Sequence, residues 1–342
     1  MHYTVGIVGG SGFVGQHLAQ SLSSTCDVKV LDVRQPPSIG KTGDQFCPCD
    51  VRRFGDVEQG LADVDLVIHA AIVQIPRINE QPKLGYEVNI VGTQNVCQAV
   101  VSNERIKGLI LAGSWHTIGE RELSGTIDED FGFRPNKVEE RARLYAYSKI
   151  AQECTVNFYA AMSEKSFAVL RTGTVLGEGM PNGTAASKFI ESGLKDEPIT
   201  PYSHTMFRPM LFVDIRDACS AYEKLVAEIL GGRLKKGAER EANTINLYYP
   251  RPVTVIELAE IVRRAISKYN PRGQKPKLKI IKTGEKPLFN KDDKSRIRVD
   301  TTKAKLLGMR RLRSPKDSIE NIVQNKISRN LSLQRSPSYQ TN

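Results

Sequence analysis

No unbroken apolar run of eighteen residues occurs in the 342-residue chain, so a membrane-spanning helix is not expected. The first residues lack the basic region and apolar stretch of a secretory signal, and the expected location is the cytoplasm. Zinc-ligand spacing is also missing: Cys26, Cys47, Cys49, Cys97, Cys154 and Cys219 are scattered, and Cys47-Pro48-Cys49 is one residue short of Cys-x-x-Cys. Free, mostly buried thiols are the expectation. There is no internal repeat. Negative charge is scarce in one region, since residues 263–313 hold 18 Lys/Arg against 4 Asp/Glu, a net of +14 that leaves the rest of the chain at −3. That stretch has only Tyr269 and Phe289 as aromatics, too few for a platform on which nucleic-acid bases stack. A solvated surface, or a field drawing an anionic substrate toward a cleft, is therefore favoured over nucleic-acid binding.

What is present begins at the N-terminus. Tyr3 to Val8 reads as a short strand that runs into Gly9-Gly10-Ser11-Gly12-Phe13-Val14-Gly15 and then into the helical pattern His17 to Leu22. A strand, glycine turn and helix in this order suit a dinucleotide. Gly9 serves the tight turn, Gly12 the approach of a pyrophosphate, and Gly15 the packing of helix on sheet. The phosphates then face the N–H groups of a helix start. The next strand, Val28 to Leu31, ends in Asp32, placed to accept hydrogen bonds from the adenosine ribose. Its charge would repel a 2′-phosphate, which favours NAD, although Arg34 two residues on could accommodate one.

Further strands around Gln45 to Cys47, Leu66 to His69 and Gly108 to Ala112 alternate with helical stretches at Asp56 to Leu61 and Glu87 to Val101. Near-continuous apolar strands alternating with helices predict a parallel sheet covered on both faces, with ligands beyond the carboxyl ends of its strands. Asp50, Ala70, Ala71 and Ser114 fall at such ends. The run Tyr145-Ala146-Tyr147-Ser148-Lys149 sets a phenol and an ammonium four residues apart, on one face of a helix. A tyrosine titrates near about pH 10, and a neighbouring cation favours its phenolate.

With these residues in order the chain resembles the extended short-chain dehydrogenase/reductase family, the group of NAD-dependent nucleotide-sugar epimerases and dehydratases. The resemblance also rests on Asp50-Val51, His69-Ala70-Ala71, Asn89-Ile90-Val91-Gly92-Thr93, Arg171 to Gly177, Phe212-Val213-Asp214 and Asp300-Thr301-Thr302-Lys303. It implies an α/β Rossmann fold, a doubly wound parallel sheet with a smaller mixed C-terminal substrate-binding domain. Residues 1–170 would form the NAD-binding domain with contributions from 171–225, residues 171–323 the substrate-binding region, and residues 324–342 a disordered tail. The loop 231–241 is expected to be mobile.

By resemblance, Tyr145 is the general acid–base, Lys149 lowers the phenol's pKa and holds the nicotinamide ribose, and Ser114 stabilises the reacting oxygen. Gly9, Ser11, Gly12, Phe13 and Val14 would line the pyrophosphate, Asp32 the ribose, Asp50 and Val51 the adenine, and Ala70 and Ala71 the path to the nicotinamide. Asn89 would tie strand to helix. Substrate would meet Ser114, Trp115, His116, Thr174 and Arg208.

Family dehydratases carry an Asp-Glu pair after the serine, where this chain has Trp115 and His116, so dehydration is disfavoured. Uronate dehydrogenases resemble Ser-Asn-His there. Thr174 stands where the family usually has an asparagine that meets the diphosphate, while Arg208 matches a phosphate-holding arginine. The leading expectation is a nucleotide-sugar 4-epimerase. The alternative is a net sugar, uronate or hydroxysteroid-type dehydrogenase, with a non-enzymatic dinucleotide- or RNA-binding relative behind both. A homodimer through helices of the first domain is a further implication of the resemblance.

Overall fold

Seven parallel strands form the centre of the molecule in the computed structural model, which describes residues 3–36, 45–234, 241–271, 273 and 275–335, the last six as helical backbone. They are β1 (Thr4–Val8), β2 (Asp27–Asp32), β3 (Gln45–Pro48), β4 (Leu66–His69), β5 (Gly108–Ser114), β6 (Ser166–Thr172) and β7 (Asn243–Leu247), in the spatial order β7-β6-β5-β4-β1-β2-β3. The order reverses between β1 and β4, where Val8 pairs with His69. A crevice at such a reversal is where open parallel sheets bind ligands.

Successive strand residues face opposite sides, and both sides are buried. Ile7, Ile68, Ile110 and Leu170 pack beneath helices α1 (Phe13–Leu22) and α6 (Ile215–Leu230), against Leu18, Leu22, Tyr222 and Leu225. Val8, Val67, Leu109 and Val169 face the other side, against Val57 of α2 (Phe54–Gly60), Val96 and Val100 of α3 (Gly92–Ser102), and Val156 and Ala160 of α4 (Arg143–Ala161). The doubly wound parallel sheet is thus as expected from the apolar strand runs.

Three elements differ from their sequence reading. The stretch from Glu87 is a π-helical turn over Glu87–Val91 before the α-helix α3 begins at Gly92. The seventh strand, β7, comes from residues 243–247, beyond the 171–225 stretch expected to supplement the sheet. Its Ile245 and Leu247 are buried beside β6, and a five-residue alternation inside a region read as loops and helices carries little signal by itself.

The tail is the third difference. Helix α8 covers Pro315–Arg335, so residues 324–335 continue a helix and are not a disordered tail. Ile319, Ile322 and Val323 are buried in a cluster with Leu258, Val262 and Ile266 of α7 (Val255–Tyr269) and with Phe189 and Ile190 of α5 (Ala185–Leu194). Ile327 packs on the same cluster and Arg329 pairs with Glu178, which carries the helix past the expected boundary. Residues 336–342, and 235–240 of the loop expected to be mobile, lie outside the described residues. Among the described residues no helix is long and apolar enough to cross a membrane, and all six cysteines are free, four of them buried.

Candidate functional site

At the β1 end, Gly9 has φ +82° and donates its N–H to Leu31 O at 2.8 Å, bending the chain beside β2. A Cβ on Gly9 would lie 2.4 Å from Ala71 N, and one on Gly15 2.5 Å from Gly10 Cα, so glycine is required by the turn and by helix packing. At Gly12 an added Cβ would meet only Gly9 O, at 3.3 Å. Gly12 is also the N-cap of α1, and no side chain caps that helix start. Backbone N–H groups of the first turn are thus left for an incoming anion.

Asp32 ends β2 and accepts from Ser11 N at 3.1 Å and Arg34 N at 3.2 Å, one bond on each oxygen. A carboxylate oxygen has a second acceptor position, so both can still take a ribose hydroxyl. Ala70 and Ala71 follow β4, with Ala70 N bonded to Val8 O. An open glycine turn, an uncapped helix start and a carboxylate with spare acceptor capacity fit the dinucleotide implied by the sequence. Asp50 is paired with Arg52, which grips its carboxylate with Nε and Nη2 and holds the acid below its ordinary value. Val51 is buried, and its carbonyl accepts from Asn95.

The chemistry sits two strands away. Ser114 is the last residue of β5, paired with Thr172 of β6, and not a loop residue after the strand. Tyr145 and Lys149 lie one turn apart on α4, and the Tyr145 hydroxyl is hydrogen-bonded to the Ser114 side chain. Lys149 Nζ donates to Ala112 O at 2.7 Å and stands 6.0 Å from the Tyr145 ring centroid. That leaves two ammonium protons unassigned to protein.

In the protein alone, burial has the largest influence on the phenol. Burial pushes Tyr145 up to about 12, opposed only by the Ser114 hydrogen bond. Burial also pushes Lys149 down to about 7, against the pull of Glu153 one turn further on. Desolvation dominates both groups: Lys149 is buried and Tyr145 half-buried, and a net charge is costly in such surroundings.

Asn89 has the tying role expected of it. Its amide oxygen accepts from Val73 N at 2.7 Å, and its nitrogen donates to Val73 O and to Ser148 Oγ. The segment after β4 is thereby fastened to the helix that carries Tyr145 and Lys149. A buried ion pair fixes the same helix from the other end, with Arg171 Nη2 2.6 Å from Glu153 Oε1 and Arg171 Nε on both oxygens.

The expected substrate residues divide. Trp115 is 1 % exposed, packed with Ile118, Leu123, Ile127, Leu211 and Tyr248, and its indole N–H donates to Thr174 Oγ1 at 3.2 Å. It is a core residue, and the reading of Trp115 as a substrate contact is corrected on that ground. Thr174 Oγ1 accepts that bond and keeps its own hydrogen to donate. Arg208 is also buried, with Nη1 2.8 Å from both oxygens of Glu139. His116 does reach the site: its ring meets the Tyr145 ring edge-on at 5.3 Å, and its Nδ1 is 3.2 Å from Ser114 Oγ.

Sequence reasoning missed Glu120, Glu139 and Arg141. Arg141 Nη2 is 3.2 Å from Glu120 Oε1 and its Nε 2.8 Å from Glu139 Oε2. Nothing in the spacing of residues 120, 139, 141 and 208 announces that they meet. Only the Glu139-Glu140-Arg141 charge cluster just before a predicted helix could have raised the question. Among the described residues no group of three or more His, Cys, Asp or Glu could hold a metal ion.

A family model described as the NAD dependent epimerase/dehydratase family matches residues 5–234. Among curated proteins, the chain is 28 % identical over 200 residues to D-erythronate dehydrogenase of Haemophilus influenzae, a match that covers 56 % of this chain and 60 % of that protein. It is 30 % identical over 183 residues to N-acetyl-α-D-glucosaminyl-diphospho-ditrans,octacis-undecaprenol 4-epimerase of Escherichia coli O157:H7, covering 52 % of this chain and 50 % of that protein.

Solved structures share the fold over nearly the whole length. MoeE5 in complex with UDP-glucuronic acid and NAD superposes with TM-score 0.75 at 21 % identity, over 95 % of this chain and 99 % of that one. UDP-glucose 4-epimerase of Thermus thermophilus in complex with NAD gives 0.72 at 22 %, over 94 % and 97 %. With the glycine turn, Asp32 and the Ser114–Tyr145–Lys149 group in place, the chain belongs to the NAD-dependent epimerase/dehydratase family.

Proposed function

We propose that the protein is an NAD-dependent oxidoreductase-type enzyme acting on a sugar hydroxyl, with nucleotide-sugar 4-epimerisation as its reaction. The observation that carries this reading is the Ser114–Tyr145 hydrogen bond at the end of β5, with Lys149 beside it and the glycine turn across the β1–β4 reversal. Gly9, Ser11, Gly12, Phe13 and Val14 would hold the pyrophosphate, Asp32 the ribose, Val51 with Asp50 the adenine, and Ala70 and Ala71 the nicotinamide side. Bound there, NAD would supply a hydride acceptor.

Tyr145 takes the proton of the substrate hydroxyl as its carbon is oxidised and returns it on reduction. A phenol raised to about 12 holds its proton firmly, so it suits passing a proton through better than losing one beforehand. Ser114 holds the Tyr145 hydroxyl in place at the reacting oxygen. The two free ammonium protons of Lys149 suit ribose hydroxyls. Residues 171–323, except β7, form the substrate-binding region in this reading, and with Trp115 and His116 after Ser114 the site has no carboxylate pair for dehydration.

A second reading, net oxidation of a sugar, uronate or hydroxysteroid-type alcohol, is favoured by one specific observation. Both positions at which family enzymes would hold a diphosphate are already engaged, Thr174 Oγ1 by the Trp115 N–H and Arg208 Nη1 by Glu139, although Arg208 Nε has no partner among the described residues. The curated relative that is a D-erythronate dehydrogenase agrees with it.

A panel of nucleotide sugars and sugar acids, with and without added NAD, separates the readings by absorbance of NADH. Epimer without net NADH supports the first; stoichiometric NADH from a sugar acid replaces it with the second. Tyr145→Phe should lower turnover by about 10²–10⁴-fold and leave NAD affinity nearly unchanged. Unchanged turnover would reject the assigned acid–base.

We also place the protein in the cytoplasm as a homodimer. Tyr147 and Phe158 on α4 and Met162 at its C-terminal cap, respectively 45 %, 61 % and 65 % exposed, lie with Cys154 along one face and support the homodimer. A solvent-facing apolar stripe on a helix marks an association surface.

A further inference from the structure

Behind the Ser114–Tyr145 pair lies a buried polar chain that the proposed hydride chemistry does not use. Ser114 Oγ accepts the backbone N–H of His116 at 3.3 Å and lies against the Tyr145 hydroxyl. The other face of the hydroxyl meets His116 Nδ1 at 3.2 Å. His116 Nε2 stands 3.6 Å from Glu120 Oε1. Glu120 is 1 % exposed, and its other oxygen accepts Glu139 N at 3.1 Å.

We propose that His116 and Glu120 form a proton relay that carries the substrate's hydroxyl proton from Tyr145, through Ser114, to the Glu120 carboxylate. This rests on the reading of the site as one that oxidises a carbinol.

The relay requires one set of donor directions. The His116 backbone N–H can only donate to Ser114 Oγ, and in the relay the phenol donates there too. The serine's own hydrogen is then free to point at His116 Nδ1, which must be an acceptor. The neutral imidazole consequently carries its proton on Nε2, facing Glu120. Donors run one way along the chain: Tyr145 to Ser114, Ser114 to His116, His116 toward Glu120. The last gap, 3.6 Å, is longer than a hydrogen bond, and the relay requires it to shorten when substrate binds.

The surroundings assign each residue its part. The ring of His116 faces Arg141, Arg208 and Lys149 as well as Tyr145, and burial with those cations holds it neutral, down to about 3. It therefore passes a proton between its two nitrogens and does not store one. Glu120 faces Glu139, Arg141 and Arg208, and burial together with the Glu139 charge raises its pKa above the ordinary carboxylate value despite the two cations. It is the member able to keep a proton. Arg141, 47 % exposed at its side chain, joins Glu120 to the surface.

The step balances. The substrate C–H leaves as hydride to the nicotinamide, the substrate O–H bond breaks and a carbonyl forms. The substrate's proton goes to the Tyr145 oxygen as the phenol's own proton moves to Ser114, the serine's to Nδ1, and the Nε2 proton to Glu120, which becomes a neutral acid. In epimerisation the same hops reverse when hydride returns. In a net oxidation the proton leaves past Arg141. His116 and Glu120 act through Ser114 and are positioning residues for the proton, not groups that touch substrate.

Glu120→Gln tests this, because the group can no longer take a proton, while its single amide oxygen can still accept from either Arg141 or Glu139 N. Two readouts are used. In protein without substrate, ¹⁵N shifts of labelled histidine should show His116 protonated on Nε2, and in Glu120→Gln a mixture of tautomers; a wild-type ring protonated on Nδ1 overturns the relay whatever the substrate is. In turnover, Glu120→Gln should lower kcat by at least about tenfold with KM within about twofold. The solvent-isotope proton inventory should change from curved to linear, and Glu120→Asp should recover part of kcat.

A merely structural Glu120 would not alter the proton inventory, so wild-type kcat and an unchanged inventory in Glu120→Gln also overturn the proposal. Failure of the carbinol reading is a different result: Tyr145→Phe would then leave turnover unchanged.

Discussion

Replacing Lys149 by methionine should change how stability depends on pH, with a size set by the site's burial. The ammonium is 5 % exposed and burial holds it down to about 7, against an ordinary lysine value of 10.5. An unfolded chain keeps this proton up to about pH 10.4, whereas the folded chain gives it up above about 7. In that window the unfolded state binds one more proton, so stability rises with pH by about 1.4 kcal/mol per pH unit, and at pH 7 the wild type carries a penalty of about 4 kcal/mol.

Lys149→Met removes the penalty but leaves Ala112 O without its 2.7 Å donor, at a cost of about 1–3 kcal/mol at every pH. Desolvation wins at pH 7 and the lost hydrogen bond wins at pH 10. Urea unfolding followed by far-ultraviolet circular dichroism at pH 7, 8, 9 and 10, without added dinucleotide, should give crossing curves. The variant should lead by about 1–3 kcal/mol at pH 7 and trail by a similar amount at pH 10. A difference between the two proteins that does not vary with pH would refute the reasoning.

Arg171→Met strands the Glu153 carboxylate, 1 % exposed, in the interior and should destabilise the fold by about 3–5 kcal/mol in urea titrations; Glu153→Gln added to it should recover part of the loss. Gly9→Ala must hold a Cβ at φ +82° and 2.4 Å from Ala71 N, so it should weaken NAD binding at least about tenfold by calorimetry and destabilise by about 1–3 kcal/mol. Phe158→Glu, at a side chain 61 % exposed, should leave unfolding within about 0.5 kcal/mol of wild type while shifting sedimentation from dimer to monomer. A wild type that sediments as a monomer would remove the proposed interface.

The N-terminal half was legible because its physics is local. Val5 to Val8 must extend, Gly9 must turn, and Leu18 and Leu22 must face the sheet, whatever lies further along the chain. Parallel strands buried on both faces spell themselves out as continuous apolar runs. The four-residue spacing of Tyr145 and Lys149 likewise determines their common face of α4 wherever that helix docks. Those residues, with Asp32 and the strand ends, pointed to the fold class and to a candidate place for the cofactor.

Strand β7 and the run of α8 beyond residue 323 were hidden, since short or weakly patterned segments become regular only through partners far away in sequence. The electrostatics were decided by tertiary structure alone. Burial raises the Tyr145 phenol, Trp115 turns into the core, and Arg208 is paired with Glu139 across 69 residues. Sequence order by itself determined which chemical groups the chain owns and which helix or strand carries them. Which of those groups are dehydrated, paired or left facing a ligand depends on through-space neighbours, and only the folded chain supplies those.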